Sequence, residues 1–162
     1  MVKVFLSHQS RDADSAKSVA IYLRINHGIE CYLDVIDPYI NKPGEDLADH
    51  IRIQMGACTQ LLAVVSDQTK ASQWVPWEIG VATEKQFPLA TFSTDGMKPP
   101  EFLQKWPYLR SLIDLDRYAA ASKEAEKSFV RKRSAASSET ASRASSTREF
   151  YNALRASLGQ RM

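Results

Sequence analysis

Short apolar runs recur along this chain without the polar alternation of a half-exposed strand, and each is followed by a stretch of helical spacing. Val2-Lys3-Val4-Phe5-Leu6 reads as the first strand. From residue 12 to about 24, Ala16, Val19, Ala20 and Leu23 recur at helical intervals, and Asn26-His27-Gly28 supplies a stop. Residues 29–33 form a second strand, followed by a proline-containing loop over 37–44. Leu47, Ile51 and Met55, each four residues after the last, mark the next helix. Leu61-Leu62-Ala63-Val64-Val65 is the most hydrophobic strand, as expected when both faces are buried. A helix then begins near Pro76, a residue that suits a first helical turn, and runs to about 85. Residues 88–92 give a fourth strand, and 108–115 a shorter, weaker fifth. This alternation predicts a flavodoxin-like α/β domain, a five-stranded parallel sheet with helices on both faces. The strand order 2-1-3-4-5 comes from that fold class by analogy, not from periodicity.

From about residue 117 the composition shifts to Ala, Ser, Lys and Arg, and 134–146 is close to low complexity. A last helix is expected where Ser146 and Glu149 have capping-box spacing, with Phe150, Leu154 and Leu158 on one stripe and Gly159 as its stop. The expected organisation is a domain over 1–116 and an Ala/Ser-rich C-terminal helical extension over 117–162. The last helix reads as a surface helix docked on the domain or as a partner-binding helix. Arg131-Lys132-Arg133 reads as a solvated face.

Composition serves mainly to exclude. A chain of 162 residues suits one domain with a real core. Its 21 Lys+Arg against 19 Asp+Glu leave a net charge of +2, which makes no global case for a nucleic-acid partner. No run approaches the roughly 18 apolar residues of a membrane span, and residues 1–12 do not read as a signal peptide. Cys31 and Cys58 form no CxxC pair, which speaks against a disulfide framework or zinc ribbon; a reducing cytoplasm is the expected location. His8, His27 and His50 lack metal-ligand spacing, so no metal site is expected. The glycines make neither GxGxxG nor GxxxxGK, and there is no GxSxG elbow.

In open α/β sheets, ligands bind beyond the carboxyl ends of the strands where the strand order reverses, here between strands one and three. The loop after strand one, Ser7-His8-Gln9-Ser10-Arg11, leads into a helix N-terminus. Its N–H groups, hydroxyls and Arg11 can cradle a phosphate. The loop after strand three leads to Trp74-Val75-Pro76-Trp77-Glu78. A carboxylate can hold a ribose diol or stabilise positive charge, and an indole can stack on a base or pyridinium ring. A plainer reading stands beside this one. Trp74, Trp77 and Val81 have roughly helical spacing, so either indole can pack on the sheet, Trp77 the more naturally, and Glu78 can simply favour a helix N-terminus.

Together these residues resemble a Toll/interleukin-1 receptor (TIR) domain over roughly 1–116. The similarity is to the bacterial, standalone, NAD-consuming anti-phage (Thoeris-like) signalling type. Val4-Phe5-Leu6-Ser7-His8-Gln9-Ser10-Arg11-Asp12 resembles the family's opening strand and loop. Tyr32-Leu33-Asp34-Val35 resembles its second strand ending in aspartate, and residues 34–44 take the place of its long BB loop. Met55-Gly56-Ala57-Cys58 and Leu62-Ala63-Val64-Val65-Ser66 resemble the third strand and its approach. Trp74 and Glu78 have the WxxxE spacing of TIR domains that consume NAD. WxxxE alone is a weak signal; all the blocks in order are a specific one.

The resemblance implies an NAD+ glycohydrolase or ADP-ribosyl cyclase, with Glu78 as the catalytic carboxylate. It puts Trp74 at the nicotinamide end, Phe5, Ser7 and Arg11 around the nucleotide, and Asp34 near the loop entrance. NAD+ is then the substrate, with no further cofactor. The resemblance also implies a homo-oligomer built by TIR–TIR contacts, with Tyr39 and Lys42 of the BB loop meeting the neighbour. A separate effector would read a nucleotide product in bacterial immunity. With two prolines and little basic charge, this BB loop departs from many relatives. Two other functions compete: a non-catalytic TIR adaptor acting by homotypic contacts, and a nucleoside deoxyribosyltransferase-like enzyme, which leaves the TIR blocks unexplained. ADP-ribose, a cyclic isomer or another adduct would all begin from the same cleavage.

Overall fold

The computed structural model describes residues 1–33, 44–67, 69, 72, 74–96, 98–135 and 138–161. Five strands form one parallel sheet: β1 (Lys3–Ser7), β2 (Glu30–Tyr32), β3 (Gln60–Val65), β4 (Leu89–Ser93) and β5 (Tyr108–Leu109). Their order is β2-β1-β3-β4-β5, the order expected for the fold class. The helices are α1 (Ala13–His27), α2 (Gly44–Gly56), α3 (Trp74–Glu84), α4 (Leu112–Ala135) and α5 (Glu139–Leu158).

The strands lack polar alternation because both faces are covered. On one face Val4, Leu6, Leu62, Val64 and Ala90 meet Val19 and Leu23 of α1, Leu115 and Tyr118 of α4, and Phe150 and Leu154 of α5. On the other, Phe5, Leu61, Ala63, Val65 and Leu89 meet Ile51 and Met55 of α2 and Val75, Ile79 and Ala82 of α3. Helix α1 ends as the sequence signals: Gly28 lies in the left-handed region at φ 63°, its N–H reaching Arg24 O, while the Ile29 N–H reaches Leu23 O. Among the described residues no helix is long and apolar enough to cross a membrane.

The structure corrects two local expectations. The fifth strand is two residues long, not a run to 115. Leu112 and Ile113, which suggested a strand, are 49% and 66% exposed in the first turn of α4. Asp114 starts that helix: its carboxylate accepts from the Arg110 N–H at 2.9 Å and pairs with Arg117 at 2.8 Å. Residue 116 therefore falls inside a continuous helix. The capping box at Ser146 and Glu149 does not form either. Helix α5 starts two turns earlier, with Ser138 Oγ accepting from the Ala141 N–H at 3.3 Å. Ser146 and Thr147 are buried within the helix, and the Glu149 carboxylate accepts from Ser128 and pairs with Lys132 across the α4–α5 hairpin. Small side chains of both helices, Ser122, Ala125, Ser142 and Ser146, are buried, so the Ala/Ser bias belongs to a packed helix pair. The stripe of Phe150 and Leu154 docks α5 on the sheet, with Phe150 edge-on to Tyr118 at 5.9 Å. The open edge of the sheet is closed by Gln160, whose side-chain amide accepts from the Tyr108 N–H at 3.2 Å and donates to Tyr108 O at 2.6 Å.

Phe150 is 1% exposed, so Phe150→Ala should cost about 3–5 kcal/mol in denaturant unfolding, a core-sized loss. The Lys132 contact, and after it the Ser128 hydroxyl, hold the Glu149 carboxyl below its ordinary range. A depressed folded-state pKa adds stability above the unfolded-state value and loses it as pH falls through the folded one. Unfolding midpoints measured between pH 6 and pH 3 should therefore fall less steeply in Glu149→Gln than in the parent chain.

Candidate active site

Ser7 closes β1, the strand flanked by β2 and β3, so its side chain sits at the carboxyl end where the strand order reverses. The opposite wall is α3. Ser72 Oγ accepts from the Val75 N–H at 3.2 Å and holds the first helical turn. Pro76 falls within that turn, where a missing N–H costs nothing. Val75, Ile79 and Ala82 fix the rotation of α3 by packing into the core, and that rotation carries Glu78 inward. Glu78 is 1% exposed and accepts a short hydrogen bond from the Ser7 hydroxyl, itself 1% exposed. Residues 71 positions apart in sequence thus meet in the interior.

The indoles lie further out. Trp74 begins α3, is 39% exposed and stands edge-on to Trp77 at 5.6 Å. Trp77 is half-buried against the second-face core. Phe5 is fully buried and stacks on Tyr32 at 5.2 Å, so its ring belongs to the wall of the core beneath the site. Arg11 is exposed in a short 3-10 turn, Ser10–Asp12. Asp34, Tyr39 and Lys42 lie outside the described residues.

Sequence reasoning missed a tie between the two lips of the crevice. Asp12, buried just before α1, accepts from Gln9 Nε2 at 3.2 Å and from Ser66 Oγ at 3.0 Å. Gln9 Nε2 also reaches Ser66 Oγ at 3.4 Å. This triangle fastens the loop after β1 to the loop after β3. An aspartate at a helix start beside two serine-bearing loops was the available signal, but only the strand order shows that the loops are neighbours. His8, also buried, places Nδ1 2.9 Å from Leu6 O.

Other chemistry finds little support. Desolvation by burial is the main cause that pushes the Cys31 thiol up to about 12 and the Cys58 thiol to about 11, so neither is a nucleophile near neutral pH. Among the described residues no group of three His, Cys, Asp or Glu side chains could hold a metal ion.

A family model described as "TIR domain" matches residues 4–128. Among solved structures, the chain is similar to the TIR domain of the Toll-related receptor TRR-2 from Hydra magnipapillata. The TM-score is 0.53 at 15% identity, covering 65% of this chain and 81% of that one. At that identity the likeness speaks for the fold alone. No curated protein sequence matches the chain. The family match covers most of the chain, the sheet order agrees, and the chain belongs to the TIR domain family.

Proposed function

We propose that this chain cleaves the nicotinamide–ribose bond of NAD+, with Glu78 as the carboxylate that meets the reacting ribose. The observation carrying the proposal is a glutamate held inside the protein at the switch point of the sheet, one helical turn from an indole at the surface. Nicotinamide leaves NAD+ as a neutral base, because the ring nitrogen takes the electron pair of the breaking C–N bond. Positive charge passes to the ribose as an oxocarbenium-like centre. A fixed carboxylate opposite that centre lowers the barrier, and does so most where water is excluded. Water adding at the anomeric carbon, with loss of a proton, gives ADP-ribose; a nucleophile within the same molecule gives a cyclic isomer instead.

In this reading Trp74 offers its exposed face to the nicotinamide ring. Arg11, exposed beside the first loop, supplies charge for the diphosphate. The enzyme is cytoplasmic, works as an oligomer through TIR–TIR contacts, and makes an ADP-ribose-derived signal that a separate effector reads in bacterial immunity.

One observation favours a second reading. Glu78 and Ser7 are so deeply buried that the pair also suits a purely structural contact, as a non-catalytic TIR adaptor would have.

Nicotinamide release from NAD+ by the purified full chain, alone and under conditions that assemble it, separates the two. Glu78→Gln should lower release by at least about 10²–10³-fold while the thermal midpoint shows that the fold persists. Equal release by Glu78→Gln and the parent would sink the catalytic proposal. Trp74→Ala should weaken release at least about tenfold, chiefly through KM. Its stability should fall by only about 1 kcal/mol, the scale of one edge-on aromatic pair.

A further inference from the structure

Between β3 and α3, Ser66, Thr69 and Ser72 stand three positions apart, and one more such step reaches Val75 in the first turn of α3. Short hydroxyl side chains bond to nearby backbone groups and so favour turns. Here those bonds run in series. The Ser66 N–H donates to Thr69 Oγ1 at 2.9 Å, and the Thr69 N–H returns to Ser66 O at 3.0 Å. The Ser72 N–H donates to Thr69 O at 3.0 Å, and Ser72 Oγ accepts from the Val75 N–H at 3.2 Å. Thr69, in the middle, is fully buried.

A carboxylate holds the far end of the series. Asp12 Oδ2 accepts from Ser66 Oγ at 3.0 Å and from Gln9 Nε2 at 3.2 Å. Asp12 is buried and stands directly before α1, a helix fixed to the sheet through Ala16 and Val19. Its own N–H donates to Gln9 O at 2.9 Å. A path of hydrogen bonds therefore runs from the head of α1 to the first turn of α3.

Where core packing stops decides what this path can govern. Val75, Ile79 and Ala82 press into the core and set the rotation of α3. That rotation serves Glu78, which lies one turn in and is bonded to Ser7. Trp74 lies outside that packing. It is the first residue of the helix, is 39% exposed and meets Trp77 edge-on. The direction of its indole follows from how the chain enters the helix, and the Ser72 cap with the bonds behind it fixes that entry.

We propose that Asp12 is a positioning residue for the indole of Trp74, acting from a buried site through Ser66, Thr69 and Ser72. The proposal rests on the reading of Trp74 as the wall of the nicotinamide pocket. It adds that the opposite lip of the crevice sets how well that pocket holds NAD+.

The full chain carrying 5-fluorotryptophan has three tryptophans, Trp74, Trp77 and Trp106, and each 19F resonance is assigned as the one missing in the corresponding Trp→Phe variant. Asp12→Ala should shift or broaden the Trp74 resonance and leave that of Trp106, which lies under Lys105, in place. Thr69→Val keeps the shape of the side chain and removes the acceptor for the Ser66 N–H, so it should do the same. It breaks the series away from Gln9 and Arg11, and it also serves if Asp12→Ala does not fold. In nicotinamide release, KM for NAD+ should rise about three- to tenfold in either variant, with kcat within about twofold of the parent. Neither substitution should raise KM further in a Trp74→Ala chain, where the indole they act through is gone. A Trp74 resonance unmoved in the folded variants overturns the proposal, as does an equal rise in KM in the Trp74→Ala background. A moved resonance in a chain from which no assembling condition elicits nicotinamide release overturns instead the catalytic reading beneath it.

Discussion

A parallel sheet has no wet face, and that constraint arranges everything else in this chain. With helices on both sides, β1 spends three of its five residues on buried apolar contacts before it reaches Ser7. A strand like this can offer a polar side chain to chemistry only where it ends. The strand order makes that end a crevice, because the chain leaves β1 toward β2 on one side and returns as β3 on the other. Glu78 reaches the same spot because three apolar residues of α3 decide which way the helix turns. Burial thus orients the carboxylate, and the hydrogen bond to Ser7 completes the placement.

Most of the architecture was legible because it is written in patterns with a single physical reading. Non-alternating strands imply two covered faces, and Leu47, Ile51 and Met55 imply one helix stripe; Ile51 and Met55 are indeed 2% and 0% exposed. Gly28 stops α1 in the left-handed conformation, which glycine adopts without the steric penalty other residues carry there. The failures have one cause. Leu112 and Ile113 look like core and are exposed, whereas Ser122, Ser142 and Ser146 look like surface and are buried. Small polar residues inside a helix satisfy their hydroxyls locally, as Ser142 does on Ser138 O and Ser146 on Arg143 O. Hydropathy cannot register that option, so a packed helix hairpin read as low complexity.

At the site, spacing paired Trp74 with Glu78 but could not separate their fates. One helical turn apart, one is 39% exposed and the other 1%. The difference comes from position along α3: Trp74 is its first residue, and Glu78 lies a turn further in, bonded to the end of β1. The Asp12–Ser66 tie was likewise invisible, because two loops 54 residues apart become neighbours only once β1 and β3 pair.

The burial of Glu78 also sets the terms on which the site can work. Coulombic attraction between a carboxylate and a developing cation grows as the effective dielectric falls, from about 1 kcal/mol at 4 Å in water to about 4 kcal/mol at an effective dielectric of 20. A glutamate left in solvent would hardly help a ribose oxocarbenium, whereas one in a dry setting would. The same burial sets a condition, since a group 1% exposed is out of a nucleotide's reach in this arrangement. On the NAD-cleaving reading, substrate binding therefore requires a rearrangement that uncovers Glu78.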